Sequence, residues 1–178
     1  MRPKLSRFTN VIVPLLAIGF VVGSPTAGLA QVDIKAVVLK HLKISRDFTL
    51  KVADQMPESS YDFKLTPPQM SFAEQMVHLS QAMDGFLSPI FGESSGARKP
   101  SSMKKADVIA FVRQSYDSSI DKVSKITPAQ LAKTYSGGEG TMTGVEMLMI
   151  LLDHTTHHRA SAEMYLRAKG ITPTEYQF

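Results

Sequence analysis

Apolar side chains recur at steps of three and four along the chain after residue 32, a spacing typical of amphipathic helices. Four long stretches show it, at about residues 33–55, 71–90, 103–125 and 143–169. No alternating run of polar and apolar residues is long enough to predict a strand. We expect the inward faces to be formed by Ile34, Val37, Val38, Leu42, Phe48, Val52, Met76, Leu79, Met83, Phe86, Ile90, Val108, Phe111, Val112, Ser115, Ser119, Val123, Met147, Leu151, Ser161 and Tyr165.

Capping residues mark where the predicted helices begin. Ser71 and Glu74 have the Ser-x-x-Glu spacing of a capping box, and Thr143 and Glu146 repeat that spacing before the last helix. The segment 127–130, "TPAQ", has a similar pattern with proline at the first helical position. It therefore predicts an additional short helix.

Polar segments containing proline or glycine separate the helices at residues 57–70, 91–102 and 136–140. Gly170, followed by Pro173, marks the end of the last helix. Four helices of about twenty residues, joined by connections of about ten residues or more, indicate an all-α fold, a four-helix bundle. Connections of this length do not determine which helices are antiparallel neighbours.

The first 30 residues have the three-part layout of a secretory signal peptide. Basic residues in the first ten positions precede the apolar run "VIVPLLAIGFVVG", and small residues follow in "SPTAGLA". The apolar run is about a dozen residues, too short to span roughly 30 Å of hydrocarbon. We therefore expect cleavage after Ala30, a mature domain at residues 31–178, and an exported protein, periplasmic or secreted. An uncleaved anchor is the alternative.

Most of the net positive charge belongs to this leader. Removing residues 1–30 takes away three of 20 basic residues and none of 16 acidic ones, which leaves 17 against 16 and a net charge of +1. Nucleic-acid binding needs a clustered basic face, so this balance argues against a nucleic-acid partner. The chain also contains no cysteine, so any metal must be bound by histidine or carboxylate.

Three of the five histidines fall in the stretch "DHTTHHRA" at residues 153–160. A helix turns about 100° per residue, so His154 and His158 lie about 40° apart on one face, in the direction of the apolar residues. Two imidazoles on adjacent turns are well placed to share a divalent ion, and His78 on the second helix is the obvious third ligand. Three histidines would leave coordination positions open, which is typical of a catalytic site.

Other interpretations of these histidines are open. A His-x-x-x-His pair is also common on helices that bind no metal. His157 is either an extra ligand or a packing neighbour, and His41 is expected to be structural. The methionines are expected to fill the core.

The segments "DHTTHHRASAEMYLRAKGITP" and "SFAEQMVHLSQA" resemble the signatures of the DinB/YfiT-like metalloenzyme family. The first contains the family's His-x-x-x-His-Arg run, then Tyr-Leu-Arg, a glycine and a proline, here His154, His158, Arg159, Tyr165, Leu166, Arg167, Gly170 and Pro173. The second resembles the segment with the family's first ligand, here His78. The loop segment "YDFKLTP" is also similar. The resemblance covers residues 33–178.

This resemblance implies a four-helix bundle with two long crossover connections, often a homodimer. It implies a divalent metal ion bound by His78, His154 and His158, most commonly zinc or nickel, with iron or manganese also open. Many members have Gly-Gln after His-Arg, where this chain has Ala160 and Ser161. Relatives of known activity include transferases and isomerases that use low-molecular-weight thiols, intracellular cosubstrates that an exported protein would not readily encounter.

Two classes of function remain open on the sequence. The first is a metal-dependent transferase or hydrolase in which the ion lowers the pKa of a bound nucleophile. Its substrate is an unknown small molecule, and neither Glu74 nor Asp153 is a good general base. The second is a non-catalytic metal- or ligand-binding bundle. After signal cleavage, no stable membrane insertion is expected in either case.

Overall fold

The computed structural model describes residues 33–96, 98–137 and 140–177. The predicted leader, residues 1–30, lies outside these ranges, so its cleavage stays a prediction. The described elements are α1 (Ile34–Gln55), a 3-10 turn (Glu58–Ser60), α2 (Phe72–Phe91), α3 (Lys105–Lys125), α4 (Pro128–Ala132), β1 (Thr134–Gly137), β2 (Gly140–Thr143) and α5 (Gly144–Ala168). The predicted all-α bundle is confirmed, with α3 beginning two residues later than expected.

The predicted caps form the hydrogen bonds that their spacing requires. Ser71 Oγ accepts from the Glu74 amide at 3.2 Å, and Glu74 Oε2 accepts from the Ser71 amide at 2.6 Å. Equivalent reciprocal pairs begin α4 and α5. At the end of α5, Gly170 has a φ of +75°, the left-handed conformation that favours glycine. The local sequence therefore determines where these helices begin and end.

Each long helix packs against two others. Helix α1 contacts α3 and α5, and α2 contacts the same two helices, so α1 and α2 lie diagonally across the bundle. The core between them is mainly apolar, with Leu42, Val52, Leu79, Met83 and Leu151 inaccessible to solvent, and a minority of the buried side chains are polar or charged. The arrangement places α5 between α1 and α2, and both of its packed faces contain functional candidates.

Two expectations about the core are wrong, the second in part. Val37 is 44% exposed, and four of the methionines expected to fill the core are exposed: Met70 at 38%, Met103 at 44%, Met149 at 52% and Met164 at 54%. Val37 lies near the start of α1 with Val38 turned into the core, and Met164 adjoins the buried Tyr165. Because a helix step of one residue is about 100°, an immediate neighbour of an inward residue points toward solvent unless another element covers it.

The prediction that residues 136–140 form a loop without strands is also wrong. Strands β1 and β2 pair antiparallel, with Thr134 opposite Thr143 and Tyr135 opposite Met142. Each strand has four residues, too few to show alternation in a sequence. The hairpin joins α4 to α5. Among the described residues, no helix is both long enough and apolar enough to cross a bilayer.

The first residue of α5 touches the backbone of α4. A Cβ atom on Gly144 would meet the Gln130 carbonyl oxygen and would lie 2.9 Å from Leu131 Cα. Both neighbours are backbone atoms and cannot rotate away. Glycine at this position therefore permits the close approach of the two helices.

We expect Gly144→Ala to lower the free energy of unfolding by about 1–3 kcal/mol, because the added methyl group overpacks this contact. Gly85→Ala is the matched control, since Gly85 is exposed on α2 and has open space around its Cβ position. That control should be neutral or stabilising by up to about 1 kcal/mol. Urea denaturation of both variants makes the comparison, and equal stability would contradict the backbone contact.

Candidate metal centre

The three predicted ligands lie together where α2 packs on α5. One nitrogen each from His78, His154 and His158 lies within 4.8 Å of the other two. The ring centroids are 4.5 Å apart for His78–His158 and for His154–His158, and 5.2 Å apart for His78–His154. Nitrogens bound to a common zinc ion are about 3–4 Å apart, given metal–nitrogen distances of about 2.0–2.1 Å. The geometry therefore fits one ion with small side-chain rotations.

A glutamine fixes the orientation of one of these imidazoles. Gln75, one turn before His78 on α2, has its Oε1 atom 2.6 Å from Nδ1 of His158. An amide oxygen only accepts hydrogen bonds, so Nδ1 of His158 donates. The Nε2 atom is then unprotonated and has its lone pair available for a metal. Sequence reasoning missed Gln75, although it precedes His78 by three residues on the same face of α2.

His154 supplies an independent indication of a ligand. Its Nε2 atom is buried and has no hydrogen-bond partner among the described residues. Its ring packs edge-on against Phe86, with centroids 5.6 Å apart. An unsatisfied buried polar atom costs about 1–3 kcal/mol. A divalent ion shared with the other two imidazoles would remove that cost.

The surroundings keep two of the imidazoles neutral. Burial, followed by the other histidines of the cluster and His157, lowers the pKa of His158 to about 4. Burial also lowers the pKa of His154, with His78 and His157 adding to the effect and Asp153 opposing it. A neutral imidazole is the form that binds metal, so at pH 7 these rings need to lose no proton before binding.

The other candidate residues of the segment 153–160, and His41 on α1, lie outside the three-histidine cluster. His157 is exposed, and its ring lies at right angles to that of His158 with centroids 4.9 Å apart. Asp153 and His41 are also exposed. Arg159 is buried and turned toward α1, where it stacks on Phe48.

An open cleft of about 400 Å³ begins at His78. Its walls include Lys64, Met70, Glu74, Gln81 and Met103. The Glu74 carboxylate is engaged by the Ser71 amide and lies 3.5 Å from Lys64 Nζ. The Ser71 hydrogen bond is the main cause that lowers the pKa of Glu74, which makes this carboxylate a weak base.

The fold and the cluster together define a helical bundle with a candidate three-histidine metal centre. The model of the DinB family matches residues 30–178. The chain therefore belongs to the DinB family. Membership agrees with the resemblance of the two histidine segments.

Several relatives share the fold at low sequence identity. The uncharacterized protein YjoA of Bacillus subtilis is 21% identical over 139 residues, covering 76% of this chain and 90% of YjoA. Its crystal structure superposes with a TM-score of 0.69 at 19% identity, covering 79% of this chain and 96% of that one. A DinB-like protein from Bacillus cereus gives a TM-score of 0.68 at 18% identity, with coverage of 79% and 95%.

YfiT from Bacillus subtilis is also similar, with a TM-score of 0.61 at 15% identity, covering 78% of this chain and 89% of YfiT. YfiT is described as a probable metal-dependent hydrolase with an unusual four-helix bundle topology. At this identity the likeness establishes the fold. The chemistry of this chain has to be argued from its own side chains.

We expect Gln75→Leu to remove the tautomer preference of His158 in metal-free protein, because the acceptor for its Nδ1 proton is lost. Two-dimensional ¹⁵N NMR of the imidazole nitrogens at neutral pH distinguishes the two tautomers. Gln81→Leu is the control, since the Gln81 amide donates to the Arg98 carbonyl instead. An unchanged His158 spectrum in Gln75→Leu would show that another group sets the tautomer.

Proposed function

We propose that this chain is an exported, divalent-metal-dependent hydrolase whose ion is bound by His78, His154 and His158. The observation that carries the proposal is the buried Nε2 atom of His154, which has no hydrogen-bond partner in the described part of the chain. It belongs to a three-imidazole cluster in which Gln75 orients His158. Zinc or nickel is the ion that the family resemblance implies, and imidazole ligands suit both; iron or manganese is the alternative.

The histidine cluster and the cleft residues have different roles in the proposed reaction. When bound, the ion supplies a Lewis acid that activates a nucleophile at neutral pH. His78 lies on the wall of the 400 Å³ cleft, so substrate entering the cleft reaches the cluster from that side. Lys64 and Gln81 place a cation and an amide on the same wall, where they are available to orient a polar substrate.

Hydrolysis is favoured over thiol transfer for two reasons. YfiT, which shares the fold, is described as a probable metal-dependent hydrolase. An exported protein would also be separated from intracellular thiol cosubstrates. Export itself is proposed from the basic, apolar and small-residue segments of residues 1–30. A chain recovered outside the cytoplasm should have the mass of residues 31–178, and an intact leader there would contradict cleavage.

Metal binding provides the first test. We expect purified residues 31–178 to bind one zinc or nickel ion per chain, measured by calorimetry and elemental analysis. Both His78→Ala and His154→Ala should weaken binding by more than about 100-fold, since loss of an outer hydrogen bond alone costs 10–100-fold. His157→Ala is the control and should bind as tightly as the parent. Full metal occupancy in both His78→Ala and His154→Ala would contradict the proposed site.

Catalysis is tested with the metal-loaded protein on ester, amide and thiol-transfer substrates. Any turnover found should fall to the metal-free rate in His158→Ala. Glu74→Gln keeps an acceptor for the Ser71 amide and removes the carboxylate. It should change the rate less than about tenfold, because a true general base contributes about 10²–10⁴-fold.

Two outcomes would contradict the enzymatic proposal. Unchanged turnover in His158→Ala would place the reaction elsewhere. Tight metal binding that raises Tm, with no turnover of any substrate class, would favour the non-catalytic metal-binding bundle.

A further inference from the structure

The face of α5 that packs on α1 buries a further polar group. Arg159 follows His158 in the sequence but packs against α1, and it is only 4% exposed. Its guanidinium carbon lies 4.5 Å from the centroid of the Phe48 ring. This stacking fixes the plane of the guanidinium group and leaves its edge for hydrogen bonds.

The edge of this guanidinium is only partly used by the protein. Its Nη1 donates to Ser45 Oγ at 2.9 Å, and Nη2 donates to Thr156 Oγ1 at 3.4 Å. The Nε atom is buried without a hydrogen-bond partner among the described residues, although a Glu163 carboxylate oxygen lies 3.9 Å away. Arginine has five N–H donors, so this buried cation has unused donors.

The Ser45 hydroxyl is fixed in position by other buried hydroxyl groups. Its hydroxyl is 2.9 Å from the Tyr116 hydroxyl, which is 3.0 Å from Thr49 Oγ1. All three residues are buried. This chain of hydroxyls anchors the Ser45 acceptor, so the guanidinium is positioned before any ligand arrives.

A cavity of about 120 Å³ adjoins the guanidinium. Its polar wall consists of His41, Ser45, Thr156, Arg159, Tyr176 and Gln177, and none of the residues lining it is acidic. The volume exceeds that needed for a single water molecule. None of the three histidines of the candidate metal centre lines this cavity.

We propose that this cavity binds a small oxyanion, a carboxylate or a phosphate group, through Arg159. The planar guanidinium fork matches the paired oxygens of both groups. The hydroxyl of Thr156 and the imidazole of His41 lie on the same wall and add donors. Glu163 forms an ion pair with Arg159 Nε at 3.9 Å but does not line the cavity, so a bound anion would supply the hydrogen bonds that this ion pair leaves unmade.

The test uses residues 31–178 treated with a chelator, and the His154→Ala variant, so that anions binding a metal do not contribute. Acetate and inorganic phosphate are titrated separately, with chloride at equal ionic strength as the control. The readouts are the Arg159 Nε–H resonance in ¹H–¹⁵N NMR and Tm. We expect a saturable shift of that resonance and a rise in Tm with acetate or phosphate, and neither with chloride. The anion that binds more tightly identifies the class.

Two variants connect the response to the site. Arg159→Lys keeps the charge but loses the fork, and should weaken binding at least about tenfold, the equivalent of one charge-assisted hydrogen bond. If Arg159→Lys does not fold, His41→Ala replaces an exposed wall residue and should weaken binding several-fold. Arg167→Lys, an exposed arginine of α5, is the matched control.

The proposal is overturned by any of three results. The first is an Arg159 Nε–H resonance that does not shift when acetate or phosphate is added. The second is a shift and a change in Tm equal to those in chloride. The third is an unchanged affinity for acetate and phosphate in both Arg159→Lys and His41→Ala. Because the metal centre is disabled throughout, these outcomes are independent of those that test the hydrolase proposal.

Discussion

Three imidazoles placed against one another in the contact between α2 and α5 impose a strict condition on the bundle. Protonated rings at centroid distances of 4.5–5.2 Å would repel one another, and burial would raise the cost further. Burial and this repulsion lower the pKa values of His154 and His158 and hold both rings neutral, and each neutral ring has a nitrogen lone pair to satisfy. Gln75 accepts a hydrogen bond from Nδ1 of His158, and one nitrogen of each of the three rings lies within 4.8 Å of the other two. A bundle selected for stability alone would fill this contact with apolar side chains.

Helix α5 contributes to both proposed sites because it packs on two helices at once. Its His154 and His158 side chains face α2, while Arg159 faces α1 and stacks on Phe48. Adjacent positions on a helix point about 100° apart, so His158 and Arg159 necessarily enter different parts of the bundle. The His-Arg pair thus places a metal-ligand candidate and a buried cation on separate faces. Arg159 stacks on Phe48 and donates to Ser45 and Thr156, so these contacts lie away from the three histidines.

Local sequence signals predicted the helices well because capping depends on a few neighbouring residues. The Ser71, Thr127 and Thr143 caps each form with the expected reciprocal hydrogen bonds. The short hairpin escaped prediction because four-residue strands are stabilised by pairing, which a linear pattern does not record. Val37 and Met164 were misassigned because periodicity gives the direction of a side chain, whereas burial also requires a neighbouring element to cover it.

The candidate centre was predicted in part for a similar reason. The helical spacing of His154 and His158 is a local property, and His78 was found by asking which facing helix offered a third ligand. Gln75 and the cleft depend on the packing of α2 against α5 and on the loop that carries Lys64. Neither follows from spacing within a single helix.

The chemistry of the centre is constrained by what surrounds the histidines as much as by the histidines themselves. The described cluster contains three imidazoles and no carboxylate, so the protein does not neutralise the charge of a divalent ion bound there. The carboxylate that lines the adjoining cleft, Glu74, is hydrogen-bonded into the cap of α2 and faces Lys64. Its lowered pKa suits a structural role better than proton abstraction. In the proposed hydrolase, activation of the nucleophile would therefore depend on the charge of the ion, and the arrangement would suit reactions that need a strong Lewis acid more than a strong base.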